Sequence, residues 1–230
     1  MIPKTIYYVW FGQSEKSAHL LHYLATWKKF APDFNIVEIN DRNFLFNKCP
    51  IVKALILEGK FAFAADIAKL YMVYQHGGIG MDIDVEMIKP LPDLLGDSQV
   101  LLTLESAGVI NTPQFFAAEK EHIFIDELLR SMLKEYDNGA SFVHLPKLGS
   151  KMLLAKGMSK RNVYQVVQGI TILPSTYIVS NRFLGSEQVV DNTFAIHHLE
   201  GSWVKQSLIH RLRKNLSLIK RTYLEWWRNK

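Results

Sequence analysis

The sequence predicts an α/β fold, a sheet sandwiched by helices, on the strength of three observations. The stretch Ile2 to Trp10 is rich in β-branched and aromatic residues and stops at Phe11-Gly12, as a buried first strand would. Leu20, Leu24 and Trp27 then recur at helical spacing in a segment that ends before Pro32-Asp33. Phe34 to Ile39 reads as a second strand. Strand, helix, strand is a βαβ opening, and that order belongs to the α/β class.

The remaining elements follow the same logic. Ala62 to Gln75 is helical, with Ile67, Leu70, Tyr71 and Tyr74 on one side, and Gly77-Gly78 closes it as a left-handed C-cap can. Ile79 to Ile88 reads as one strand ended by Pro90 and Pro92, and Val100 to Leu104 as another. Glu119 to Tyr136 reads helical, Asp137 to Gly169 gives no pattern, and Thr171 to Leu173 and Asn192 to His197 are late strands. With 230 residues and 48% hydrophobic content, the chain can bury the core of one domain, 1–204, followed by a short appendage, 205–230.

Composition limits the functional classes. A single cysteine, Cys49, excludes an intramolecular disulfide framework and fits a reducing compartment. The N-terminus lacks a basic region followed by a long apolar run, and no window approaches about 18 uninterrupted apolar residues. A cytoplasmic protein without a spanning segment is the expectation. The net charge of +5 suggests nucleic acid until it is located: eight of the 27 Lys and Arg, but only one of the 22 acids, Glu225, fall in 205–230. The rest holds 19 basic against 21 acidic residues, so no nucleic-acid partner is expected.

The central chemical signal is GGIGMDIDVE, Gly77 to Glu86. On a strand, residues two apart point the same way, so Asp82 and Asp84 would converge while Met81, Ile83 and Val85 face the packed side. Two such hard oxygen ligands suit Mg²⁺ or Mn²⁺, which can grip a diphosphate and neutralise a departing nucleotide. Gly77, Gly78 and Gly80 would let a ligand approach the backbone closely. Paired aspartates also occur on solvated turns, but this pair sits inside an apolar pattern where exposed charge gains little.

Three blocks, IPKTIYYVWFG, FAADIAKLYMVYQHGGIGMDIDVE and AIHHLEGSW, together resemble the bacterial capsular-polysaccharide and yeast initiating-mannosyltransferase type of glycosyltransferase, family 32. The central pattern is similar to that of the large clostridial glucosylating toxins. The resemblance spans the body to Trp203 in matching order. It implies a GT-A type, Rossmann-like nucleotide-sugar-binding fold, a UDP- or GDP-sugar donor, Mn²⁺ or Mg²⁺, and retention of anomeric configuration.

The resemblance also implies roles. Asp82 would contact donor ribose and metal, and Asp84 would be the direct metal ligand. Asp66 would bond donor-sugar hydroxyls and Lys69, three residues on, would reach sugar or phosphate; the plain alternative is a surface ion pair. Trp10 would stack on or border the base, or else sit in the core. Gly78 would border the donor. His197 would complete the metal shell, with His198, Ser202 or Trp203 lining the phosphates; strand neighbours face opposite ways, and sequence does not decide between the two imidazoles. Asn111 and Glu105 are candidate sugar or acceptor contacts. Gly80 stands where the family commonly has an aromatic residue, so a sugar contact there is in doubt. Retaining transfer of this class can use the donor's own phosphate, so no side-chain nucleophile is required.

Residues 205–230 predict an amphipathic helix. Leu208, Leu212, Leu216, Ile219, Tyr223, Trp226 and Trp227 form one stripe, and Arg211, Arg213, Lys214, Lys220, Arg221 and Arg228 occupy the remaining arc. Such a face suits an anionic membrane surface, where glycan or lipid-linked saccharide acceptors of surface-polysaccharide synthesis are assembled. A terminal helix packed on the protein's own core is the alternative. Two other functional readings stand beside the glycosyltransferase: a nucleotidyltransferase, which requires a longer spacing between Gly pair and D-x-D, and a non-catalytic scaffold of the same fold.

Overall fold

The computed structural model describes residues 1–12, 14–91, 95, 98–141, 143–180 and 188–200. The predicted 205–230 helix, Ser202 and Trp203 lie outside the described residues. The chain opens as predicted, with β1 (Thr5–Val9), α1 (Ala18–Phe30) and β2 (Asn35–Ile39). Ser17 caps α1 by accepting the Leu20 N–H at 3.3 Å. Then come α2 (Pro50–Leu57), begun by a proline in its first turn, and α3 (Phe61–His76). The remaining elements are β3 (Gly78–Met81), β4 (Val85–Met87), β5 (Val100–Ser106), β6 (Val109–Ile110), β7 (Phe115–Ala118), α4 (Ile123–Asp137), α5 (Leu145–Ala155), β8 (Gln165–Val167), β9 (Ile170–Leu173), β10 (Ile178–Ser180) and β11 (Ala195–His197).

The main sheet runs in the order β2-β1-β3-β7-β5-β9-β8, with β6 paired to β5. The β2-β1, β1-β3 and β5-β9 pairs are parallel, whereas β7 is antiparallel to both neighbours and β8 to β9. Alternation along the strands feeds two cores. Tyr7, Leu102, Phe116 and Ile172 pack against α2, α3, α4 and α5, while Ile6, Ile79, Leu101 and Phe115 pack against α1 and a small second sheet. That second sheet, β10-β11-β4, pairs β11 parallel to β10 and antiparallel to β4. Trp27, fully buried, fastens α1 to it by donating its indole N–H to Val85 O at 2.6 Å.

This topology places a crevice. From β1 the chain reaches β2 through α1 on one face, and reaches β3 on the other side of β1 through α2 and α3 on the opposite face. The strand order reverses at β1, so a cleft opens beyond the carboxyl ends of β1 and β3.

Three expectations are corrected. Ile79 to Ile88 is not one strand: β3 ends at Met81, residues 82–84 form a turn in which the Val85 N–H donates to Asp82 O at 3.1 Å, and β4 restarts in the second sheet. The alternation of burial survives, because Met81, Ile83 and Val85 all enter the same core cluster. The glycines serve packing, not ligand approach. A Cβ on Gly78 would lie 2.7 Å from Thr5 O, and one on Gly80 would lie 2.3 Å from the Phe116 ring. The Gly77 cap is real, with its N–H on Val73 O at 2.8 Å, but its φ of 67° and ψ of 178° are not those of a left-handed helical cap.

Candidate functional site

The cleft at the ends of β1 and β3 has a volume of about 530 Å³, in the range of small-molecule sites. Trp10 and Phe11 border it from the end of β1, Phe61 and Ala65 from the start of α3, and Pro113 and Leu199 from loops. Asp66, Lys69, Asp82, Asp84 and His197 line it with charge.

Lys69 decides the electrostatics. It is 1% exposed, and its ammonium meets three acceptors: Asp82 in a close ion pair, Asp66 at 3.5 Å and Pro113 O at 2.7 Å. An ammonium has three donors, so the protein occupies all of them. Burial alone would lower its pKa, yet Asp82 and then Asp66 hold it above the usual lysine range, so it stays charged. This is not the surface pair of the plain alternative. Burial drives the Asp66 carboxyl well above the ordinary range, against the pull of Lys69 and with added repulsion from Asp82.

On the other side, Asp84 Oδ1 lies 3.2 Å from His197 Nε2, while its Oδ2 accepts the Glu200 N–H at 2.9 Å. Asp82 Oδ2 lies 4.0 Å from the same imidazole nitrogen. Burial would raise the Asp84 pKa, but His197 and the Glu200 amide hold it below the ordinary value. Burial would lower the His197 pKa, but Asp84 foremost holds it above. Behind the ring, Gln114 Oε1 sits 3.1 Å from His197 Nδ1 and accepts the Asn111 side-chain amide.

One ligand atom from each of Asp82, Asp84 and His197 lies within 4.8 Å of the other two, a spacing one cation can bridge. Three carboxylates face one ammonium and one titratable imidazole, so a divalent ion replacing the imidazole proton would balance the cluster. Two hard carboxylates and an imidazole fit Mn²⁺ or Mg²⁺.

The registers settle the two histidines. His197 pairs with Val85 and points into the cleft, whereas His198 turns away, with Nε2 2.8 Å from Glu86 and its ring stacked on Tyr23 at 4.3 Å. Trp10 is half-buried: it packs against the core beside α1, borders the cleft, and donates its indole N–H to Ser14 O at 2.8 Å. Asn111 and Gly78 do not line the cleft; Asn111 bonds Gln114, which in turn meets His197, and Gly78 is enclosed within β3. Sequence reasoning missed Gln114 and Leu199. Leu199 lines the cleft at a positive φ of 55°, rare for a bulky residue and of a kind that gathers at functional sites.

Residues 17–101 match the family described as "Glycosyltransferase sugar-binding region containing DXD motif". This DXD region runs from the cap of α1 into β5 and contains Asp66, Lys69, Asp82 and Asp84, while Trp10, Gln114 and His197 lie outside it. The chain is similar to the Initiation-specific alpha-1,6-mannosyltransferase of Candida albicans, 28% identical over 110 residues that make up 44% of this chain and 29% of that protein. The match therefore spans less than a third of that relative. It is similar in structure to PaToxG Glycosyltransferase, with a TM-score of 0.55 and 20% identity over 68% of this chain and 70% of that one. The DXD region is thus set in a GT-A type, Rossmann-like fold.

Proposed function

We propose that the protein is a metal-dependent, retaining glycosyltransferase that moves a hexose from a nucleotide sugar, of the UDP-hexose class, to a glycan or lipid-linked saccharide acceptor. The observation that carries this reading is the convergence of Asp82, Asp84 and His197 at the mouth of a cleft that also holds the Asp66–Lys69 pair. Those three residues would hold Mn²⁺ or Mg²⁺, which supplies charge stabilisation for a leaving diphosphate.

The chain's own groups then divide the remaining work. Asp66, at the cleft wall, accepts hydrogen bonds from donor-sugar hydroxyls. Lys69, its donors already occupied, holds Asp66 and Asp82 in place instead of reaching the phosphate. Trp10 borders two adjoining hollows, the second bounded by Asn40 and Asp41, so a flat base on its ring would have polar groups at its edge. The carboxylates lining the cleft among the described residues are Asp66, Asp82 and Asp84, all already paired with Lys69 or His197. That commitment supports transfer in which the donor's phosphate, not a side-chain nucleophile, assists the acceptor.

The test is a donor panel with Mn²⁺, scoring nucleotide release from UDP-galactose, UDP-glucose, the UDP-N-acetylhexosamines and GDP-mannose. One UDP-hexose should hydrolyse slowly without acceptor, and chelation should stop it. Equal silence across all donors, with and without metal, would favour a scaffold.

The assigned workplace is the cytoplasmic face of a membrane. Support comes from the basic and apolar arcs of residues 205–230, each surface-near cation adding about 1 kcal/mol against anionic lipid. The full chain should co-sediment with anionic liposomes at low salt and a chain ending at Ser202 should not. Equal behaviour of the two sinks this assignment.

A further inference from the structure

We propose that Gln114 is a positioning residue that sets the tautomer of His197 and holds both halves of the metal site in register. The inference rests on the reading that Asp82, Asp84 and His197 take a divalent cation.

Gln114 touches both halves at once. It lies just before β7, is 2% exposed, and its backbone carbonyl accepts the Asp82 N–H at 3.1 Å where β3 ends. Its side chain crosses to β11 of the second sheet, where Oε1 sits 3.1 Å from His197 Nδ1. Asn111 Nδ2, which can only donate, faces the same Oε1, so this oxygen accepts from Asn111 while it faces the imidazole. Nε2 faces Asp84 at 3.2 Å and Asp82 at 4.0 Å. Once a cation takes Nε2 in place of its proton, the remaining ring proton belongs on Nδ1, where Oε1 accepts it.

The chemistry follows from the two imidazole nitrogens. A metal-bound histidine commonly donates its other N–H to a fixed acceptor, which orients the ring and makes the ligating nitrogen more basic. The reversed amide would donate to Nδ1, put the proton on Nε2 and close that nitrogen to a cation. Asn111 thus acts two bonds away, through Gln114, and not as a direct sugar contact.

The experiment is calorimetric titration of Mn²⁺ into the full chain at pH 8, for wild type, Gln114→Met and Gln114→Glu, with melting temperatures recorded in EDTA. Gln114→Met keeps the volume but removes the acceptor, and should weaken Mn²⁺ about 10- to 100-fold. Gln114→Glu keeps an acceptor for both Asn111 and Nδ1, and should bind Mn²⁺ at least as tightly as wild type. Nitrogen-15 NMR of wild type with Mg²⁺ should find His197 protonated at Nδ1. Wild-type affinity in Gln114→Met, or a proton on Nε2 in the Mg²⁺-loaded wild type, overturns the proposal while leaving the metal site standing. If wild type itself binds no Mn²⁺, the metal reading falls first and this one with it. Should Gln114→Met fail to fold, the affinity of Gln114→Glu and the wild-type tautomer still decide.

Discussion

Asp84→Asn is expected to cut nucleotide-sugar turnover by at least about 100-fold while leaving the melting temperature of the metal-free protein within about 4 °C of wild type. The replacement keeps the shape of the side chain and an oxygen for the Glu200 N–H. It removes the charge that faces His197 Nε2 and one of the two anionic ligands of the proposed cation. Burial of Asp84 opposes its ionisation, so losing the charge also relieves a desolvation cost and offsets the lost ion pair. Function and fold therefore separate at this position. Asp82→Asn would not separate them as cleanly, because Asp82 also neutralises a fully buried lysine. Normal turnover in Asp84→Asn, or wild-type turnover undiminished by a chelator, would refute the metal assignment.

The parts of the site that the sequence made visible are those that are local in the chain. Asp66 and Lys69 share a face of α3, and Asp82 and Asp84 follow one short strand later, between β3 and β4, so spacing alone brings them near one another. Alternation explains why Met81, Ile83 and Val85 are buried, but the carboxylates meet on a turn where the chain leaves one sheet for another. The contributions of β7 and β11 depend on pairing across long separations, which no local pattern encodes. Gln114 is one polar residue before a four-residue strand, and its reach to His197 exists only because β11 pairs with β4.

Elements were missed where local signals conflict with packing. Leu145–Ala155 carries Pro146 and Gly149, both weak in helices, yet it is α5. Pro146 falls in the first turn, where its missing N–H costs nothing, and Gly149 lets the helix press on Ile110, whose Cδ1 would be 2.7 Å from an added Cβ. Gly80 is similar. The aromatic ring absent from this position of β3 has a neighbour in space, Phe116, on the adjoining strand β7 and filling the volume above the glycine.

Lys69→Ala is expected to cost about 3–5 kcal/mol in the metal-free protein at pH 8, the penalty for stranding buried charge. It leaves Asp66 and Asp82 facing each other without a cation and Pro113 O without its donor. The sign of the pH dependence follows from Asp66. Its pKa is already raised by burial against the pull of Lys69, and removing Lys69 raises it further. A carboxyl with a folded pKa above its unfolded one destabilises the fold as pH rises through that range, because the unfolded chain releases the proton more easily. The deficit of Lys69→Ala should therefore shrink between pH 8 and pH 5, as Asp66 takes up its proton. Adding Asp66→Asn to Lys69→Ala should restore part of the loss at pH 8, and the two changes should be non-additive, since the residues share one ion cluster. Saturating Mn²⁺ should also recover stability by returning a cation to Asp82. Denaturant melts of the single and double variants in EDTA decide the matter: a loss under about 1 kcal/mol, or one that grows as pH falls, would mean that Lys69 does not hold these carboxylates together.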